Sequence, residues 1–146
     1  MDDTSAFIEL SALLTGSFHL ADNNAKRSTV TEAVAREYRL RLMAVFSSKL
    51  PVLLEAYKTL AAATPKPPID DALLASLKAL PAFTENVFVA KQIVNIWYFS
   101  QFKPEDKPDA PLIDGGRYEE GLVWPLIKAH PIGFSGQPHG YWSSQP

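Results

Sequence analysis

The sequence predicts an all-α protein: a single-domain helical bundle with an irregular C-terminal segment rich in proline, glycine and aromatic residues. Three observations predict it. Apolar residues recur at three- and four-residue spacing over most of residues 5–102, the signature of helices with one buried face. No stretch alternates apolar and polar as a half-buried strand does. The composition also breaks near residue 102: of the 12 prolines and 7 glycines, 7 prolines and 6 glycines lie beyond it, and these residues interrupt regular structure. The domain is read as residues 1–146, with the bundle in 1–102 and a mostly irregular wrap, containing one short helix, in 103–146.

The first helix is expected to start near Thr4 or Ser5. Phe7, Leu10, Leu13 and Leu14 give it one apolar face, and Gly16 is a natural stop because glycine tolerates the left-handed conformation past a helix end. Residues 17–28 read as a polar connector. Thr29 and Glu32 fit a capping box opening the second helix, in which hydroxyl and carboxylate each satisfy an orphan amide. Val34, Tyr38, Leu42, Val45 and Phe46 form its stripe, and Arg36, Arg39 and Arg41 fall off it. Pro51 is expected to end or kink this helix. Helical pattern resumes with Leu53, Leu54, Tyr57 and Leu60 inward.

"TPKPP" at residues 64–68 is a stiff extended break. A shorter helix follows, with Asp70 and Asp71 at its positive end, and Pro81 is expected to close it. Thr84 is the expected cap of the last long helix, read through Phe102. That helix is apolar on nearly every side, with Val87, Phe88, Val89, Ile93, Val94, Ile96, Trp97, Tyr98 and Phe99, so it is expected to be the central one or to be covered by a partner. "DGGRYEEG" reads as a turn, and "RYEEGLVWPLIK" as one or two helical turns broken by Pro125.

Composition removes several function classes. Net charge is −2, which argues against sequence-independent nucleic-acid binding, since that requires a cationic surface. There is no cysteine, hence no thiolate metal site and no disulfide. No apolar run approaches the about 20 residues of a membrane span. The acidic start, "MDDTSAFIEL", has no signal-peptide pattern.

No catalytic, cofactor or metal motif emerges. His19, His130 and His139 are not at metal-ligating helical spacing, and there is no phosphate-binding glycine loop. The adjacent acids Asp70–Asp71 and Glu119–Glu120 point in different directions on a helix, which suits helix starts better than acid/base pairs. For Arg36, Arg39 and Arg41, a solvated helix face is a simpler reading than an anion site. An enzyme using His130 or His139 as base is the least supported class.

The C-terminal stretch "HPIGFSGQPHGYWSSQP", residues 130–146, has almost no charge, unlike a solvated free tail. Trp97, Tyr98, Phe99, Phe102, Tyr118, Trp124, Phe134, Tyr141 and Trp142 make the second half rich in rings. Two readings stand: the tail folds back as core, or its rings form a docking surface, since Trp and Tyr dominate interface anchors. A stand-alone binding module with a small ligand between Trp97, Trp124 and His139 is the alternative class.

Four ordered segments carry a resemblance. "FIELSALLTG" (7–16) resembles an "F..LS..LTG" opening, "IVNIWYFSQF" (93–102) an "I...WY.G" segment, "RYEEGLVWPLI" (117–127) a "TYE.ALMF" segment, and residues 130–146 an ending in which proline and glycine precede an aromatic–Trp pair and a proline. Together they resemble the small subunits of membrane-bound, FAD-dependent sugar and polyol dehydrogenases, such as those for sorbitol, fructose and glucose. Ser100 stands where that family commonly has glycine. The resemblance implies an all-helical, noncatalytic accessory subunit without cofactor or metal. It would support maturation, stability or export of a large flavoprotein subunit of the glucose–methanol–choline type, which carries the FAD and oxidises the sugar, polyol or glycoside. The complex can also include a cytochrome c subunit. The resemblance implies a periplasmic location, reached by co-export under a twin-arginine leader, or a cytoplasmic one if there is no leader. With no cysteine, association would be noncovalent. The residues expected to bind the partner are Leu122, Trp124, Phe134, His139, Tyr141 and Trp142.

Overall fold

The computed structural model describes residues 1–21 and 29–123. Six α-helices are present among them: α1 (Asp3–Thr15), α2 (Thr29–Val45), α3 (Leu50–Ala61), α4 (Asp71–Lys78), α5 (Pro81–Thr84) and α6 (Val87–Phe99). A two-stranded antiparallel ladder follows, β1 (Gln101–Phe102) with β2 (Ile113–Asp114). Single 3₁₀ turns lie at Phe18–Ala21 and Tyr118–Glu120. The architecture is all-α, as the periodicity predicts. No helix among the described residues is long and apolar enough to cross a membrane.

The first helix and the last exchange their expected roles. Every residue of α1 from Ala6 to Leu13 is buried, including Glu9 and Ser11, so α1 is the central helix, against which α2, α3, α4 and α6 all pack. Its sequence shows one apolar stripe, yet Ala6, Ile8, Ser11 and Ala12 on the other sides are buried as well. By contrast, α6 buries Val89, Ile93, Ile96 and Trp97 but leaves Phe88, Val94 and Tyr98 half-exposed and Phe99 49% exposed. The described residues therefore cover α6 on one face, and the central position expected for it belongs to α1.

Helix boundaries follow local chemistry. The Asp2 side chain caps α1 by accepting from the Ser5 amide at 2.7 Å, slightly before the expected start. Gly16 closes α1 in the left-handed region at φ 73°. Asp70 caps α4 through the Leu73 amide at 2.9 Å. The Thr29 side chain of the expected capping box lies outside the described residues. The prolines behave differently from expectation. Pro51 does not kink α2: that helix has ended at Val45, and Pro51 sits in the first turn of α3, where its missing amide has no helical partner to lose. Likewise Pro81 opens α5 rather than closing α4. Thr84 ends α5, its hydroxyl donating back to the Leu80 carbonyl at 3.1 Å, and Asn86 precedes α6 without a side-chain cap bond. The expected polar connector after α1 carries buried Leu20 and Ala21.

One hydrophobic cluster draws on α1 to α4, α6 and β1. Trp97 is its pivot: its ring stacks on Phe7 at 6.3 Å and meets Tyr38 edge-on at 5.1 Å between centroids. Phe46 touches Phe88 and Phe102 at 6.1 and 6.0 Å. Fully buried side chains of this size stabilise by about 1.5–3 kcal/mol each through apolar burial. Near the middle of α1, Glu9 is 4% exposed. Its carboxylate accepts from the Tyr57 hydroxyl at 2.7 Å and from Lys66 Nζ at 2.6 Å, which supplies the partners a buried charge requires.

Candidate functional site

The bundle passes the chain to its C-terminal segment at the end of α6, and the described residues fix that junction tightly. Ser100 ends the helix at φ 52°, ψ 37°, a left-handed conformation that disfavours side chains. Here the hydroxyl offsets the strain. Ser100 Oγ accepts from the Arg117 amide at 2.8 Å and from the Tyr38 hydroxyl at 3.2 Å. Burial pushes the Tyr38 phenol up to about 12, so it remains a proton donor at neutral pH.

Residues 113–122 are drawn onto α2 and α6 by further bonds. The Gly115 amide donates to the Ser100 carbonyl at 2.6 Å, and the Leu122 amide to the Trp97 carbonyl at 2.9 Å. The expected turn at "DGG" forms: Asp114 Oδ1 accepts from the Gly116 amide at 2.8 Å, with Gly116 at φ 83°. Arg41 bridges both sides, donating to the Asp114 carbonyl at 3.0 Å and to Glu37 at 3.0 Å. Arg117 reaches back to the other Glu37 oxygen at 2.6 Å. Arg41 is thus a structural tie rather than part of a solvated face.

Glu37 has a pH signature. The bond from Arg117, and then that from Arg41, hold its carboxyl below its ordinary 4.5 despite partial burial. A depressed folded-state pKa contributes stability above the unfolded value, and that stability is lost as pH falls through the folded one. Thermal unfolding followed by circular dichroism should therefore give a midpoint that drops as pH falls below 4.5. Glu37→Gln should lie below wild type at pH 7 and show a flatter acid limb, retaining a remnant from Asp3, which Lys58 also holds low. An acid limb unchanged in the variant would contradict the assignment. Glu120 behaves oppositely: burial, and then neighbouring Glu119, raise its carboxyl.

Beneath the clamped segment is a cavity of about 300 Å³ lined by Trp97, Val34, Leu20, Leu122 and Glu120, with exposed His19 at its rim. The volume falls at the small end of ligand sites, about 300–1,000 Å³. Trp97 Nε1 and Glu120 Oε2 have no hydrogen-bond partner among the described residues, and both atoms are enclosed.

Of the six residues expected to bind a partner, Leu122 is described. It is half-buried against the core cluster, with its amide tied to α6. Trp124, Phe134, His139, Tyr141 and Trp142 lie outside the described residues, as does His130. Glu37 and Arg117 were not singled out by the sequence, and Ser100 only as a departure from the glycine of the resembling family. The Glu37–Arg41 pair is legible as an i,i+4 contact. Nothing local signals that Arg117, 80 positions away from Glu37, completes it. Among the described residues no three His, Asp or Glu side chains gather as a metal-holding group. Comparison of the chain with protein-family models, with curated proteins and with solved structures finds no match.

Proposed function

We propose that the chain is a noncatalytic small subunit of an FAD-dependent dehydrogenase complex. It binds the large flavoprotein subunit, of the glucose–methanol–choline type, and supports its maturation, stability or export. The FAD and the oxidation of a sugar, polyol or glycoside belong to that subunit, and this chain carries no cofactor. A cytochrome c subunit completes the complex, and the proposed location is the periplasm, reached by co-export.

The observation that supports this reading best is the clamp on residues 113–122. A segment that docks elsewhere loses less entropy on binding if its starting point is already fixed. Here Ser100, Glu37, Arg41 and the Trp97 carbonyl fix the chain up to Leu122, and the ring-rich, nearly uncharged residues follow directly. Trp and Tyr in such a segment suit an interface, because each brings a large apolar area with a polar handle.

The test is co-expression of the full chain, or of a chain ending at Lys128, with the large flavoprotein encoded beside it. Soluble, flavin-loaded large subunit should appear with the full chain and be lost with the shortened one. Undiminished yield with the shortened chain, or an adjacent reading frame that encodes no flavoprotein, overturns the proposal. The cavity beside Trp97 favours a second reading, a stand-alone module for a small ligand. Saturable calorimetric binding of a sugar or free flavin by the isolated chain would select it.

A further inference from the structure

A second cleft opens on another part of the bundle, and local sequence sets its character. Along α4, Leu74 and Lys78 are four residues apart. Along α6, Val87, Lys91 and Val94 follow at four and three. Such spacings put each lysine one turn from an apolar side chain on the same face. The fold brings these two faces together with Phe83 of α5, and Leu14 of α1 also lines the space, an open cleft of about 290 Å³. Leu14, Leu74, Phe83, Val87 and Val94 are all half-buried, so the walls are apolar and reachable. Lys78 and Lys91 are exposed and pair with no carboxylate among the described residues, in a chain whose net charge is −2.

We propose that this cleft binds a free medium-chain aliphatic carboxylate, with the acyl chain between α4, α5 and α6 and the carboxylate held by Lys78 and Lys91. Charge complementarity defines the head group: two unneutralised cations border the cleft, so the ligand carries negative charge. Volume defines the tail. The space holds about ten water-sized groups at roughly 30 Å³ each, and a methylene is of similar size, so octanoate to decanoate fills it. The proposal is independent of any partner subunit and is tested on the isolated chain.

Titration calorimetry with hexanoate, octanoate, decanoate and tetradecanoate, each below its micelle concentration, is the experiment. Affinity should rise about two- to fourfold per added methylene as far as decanoate, as apolar burial requires, and then level off. Decylammonium should bind at least tenfold more weakly than decanoate. The double variant K78E/K91E changes only exposed side chains and should lose decanoate at least tenfold. Val94→Trp, which fills the cleft, should abolish binding while leaving the helical circular dichroism unchanged. Equal affinity for decanoate and decylammonium, or decanoate binding unaltered in K78E/K91E, overturns the proposal. So does binding to anionic phosphatidylglycerol vesicles with none to free decanoate, which would make the face a membrane contact.

Discussion

Lys66→Met is expected to cost about 3–5 kcal/mol of folding stability, the range for stranding one member of a buried ion pair. The reason is an asymmetry in exposure. The Glu9 side chain is 5% exposed and that of Lys66 is 45% exposed. Removing Glu9 leaves a cation that can turn into water. Removing Lys66 leaves a carboxylate in the centre of the bundle with only the Tyr57 hydroxyl as partner. Burial, then the contact with Glu9, already pushes that phenol well above its ordinary range, so it remains protonated and cannot supply charge. Glu9→Gln keeps an acceptor for Tyr57 and removes the charge, and should cost about 1.5–3 kcal/mol, the value of one hydrogen bond to a charged group. Urea unfolding of the two variants checks the order. Since a domain of this size has about 5–15 kcal/mol in total, Lys66→Met should lower the midpoint far more than Glu9→Gln. Equal costs, or the reverse order, would show that the pair is solvated rather than buried.

Gly115→Ala is expected to release the clamped segment and, with it, the proposed partner. A Cβ at this position would lie 2.8 Å from Ser100 Oγ and 2.9 Å from both the carbonyl carbon and oxygen of Ser100. Two of the three atoms are backbone, so no rotamer change relieves the contact. Forcing a methyl into such a site costs about 1–3 kcal/mol. Here it is met most simply by breaking the 2.6 Å bond from the Gly115 amide to Ser100. The damage should be local. Helical circular dichroism should be kept, while hydrogen exchange at the Arg117 and Leu122 amides rises at least tenfold. In the co-expression experiment, flavin-loaded large subunit should fall as it does with the shortened chain. Leu112→Ala, at a side chain 56% exposed, is the control and should change neither readout. Faster exchange with undiminished flavoprotein yield would separate the clamp from partner binding and remove the principal support for the docking role.

The two cleft lips invite comparison. The cavity beside Trp97 carries Glu119 and Glu120, whereas the cleft between α4 and α6 carries Lys78 and Lys91. Glu120 faces Arg117 at 3.7 Å, whereas Lys78 and Lys91 pair with no carboxylate among the described residues.

The sequence by itself determined α1 to α4 and α6, most of their inward faces and the stop of α1 at Gly16, but not α5 or the β1–β2 ladder. These depend on near neighbours in the chain: Tyr38 and Leu42, Leu53 and Tyr57, Asp70 and Asp71 at the start of α4, Gly16 after α1. It also placed the turn at Asp114 to Gly116, where two adjacent glycines leave few alternatives. Tertiary structure alone decided which helix is central, because periodicity reports one face of a helix and not how many neighbours surround it; α1 and α6 exchange roles for that reason. It also decided where Pro51 and Pro81 fall, since a residue without an amide serves equally to stop one helix or start the next. The junction at Ser100 was legible only as a serine in place of a glycine. Its partners Tyr38 and Arg117 are 62 and 17 positions away, and contacts at those separations exist only once the helices have packed.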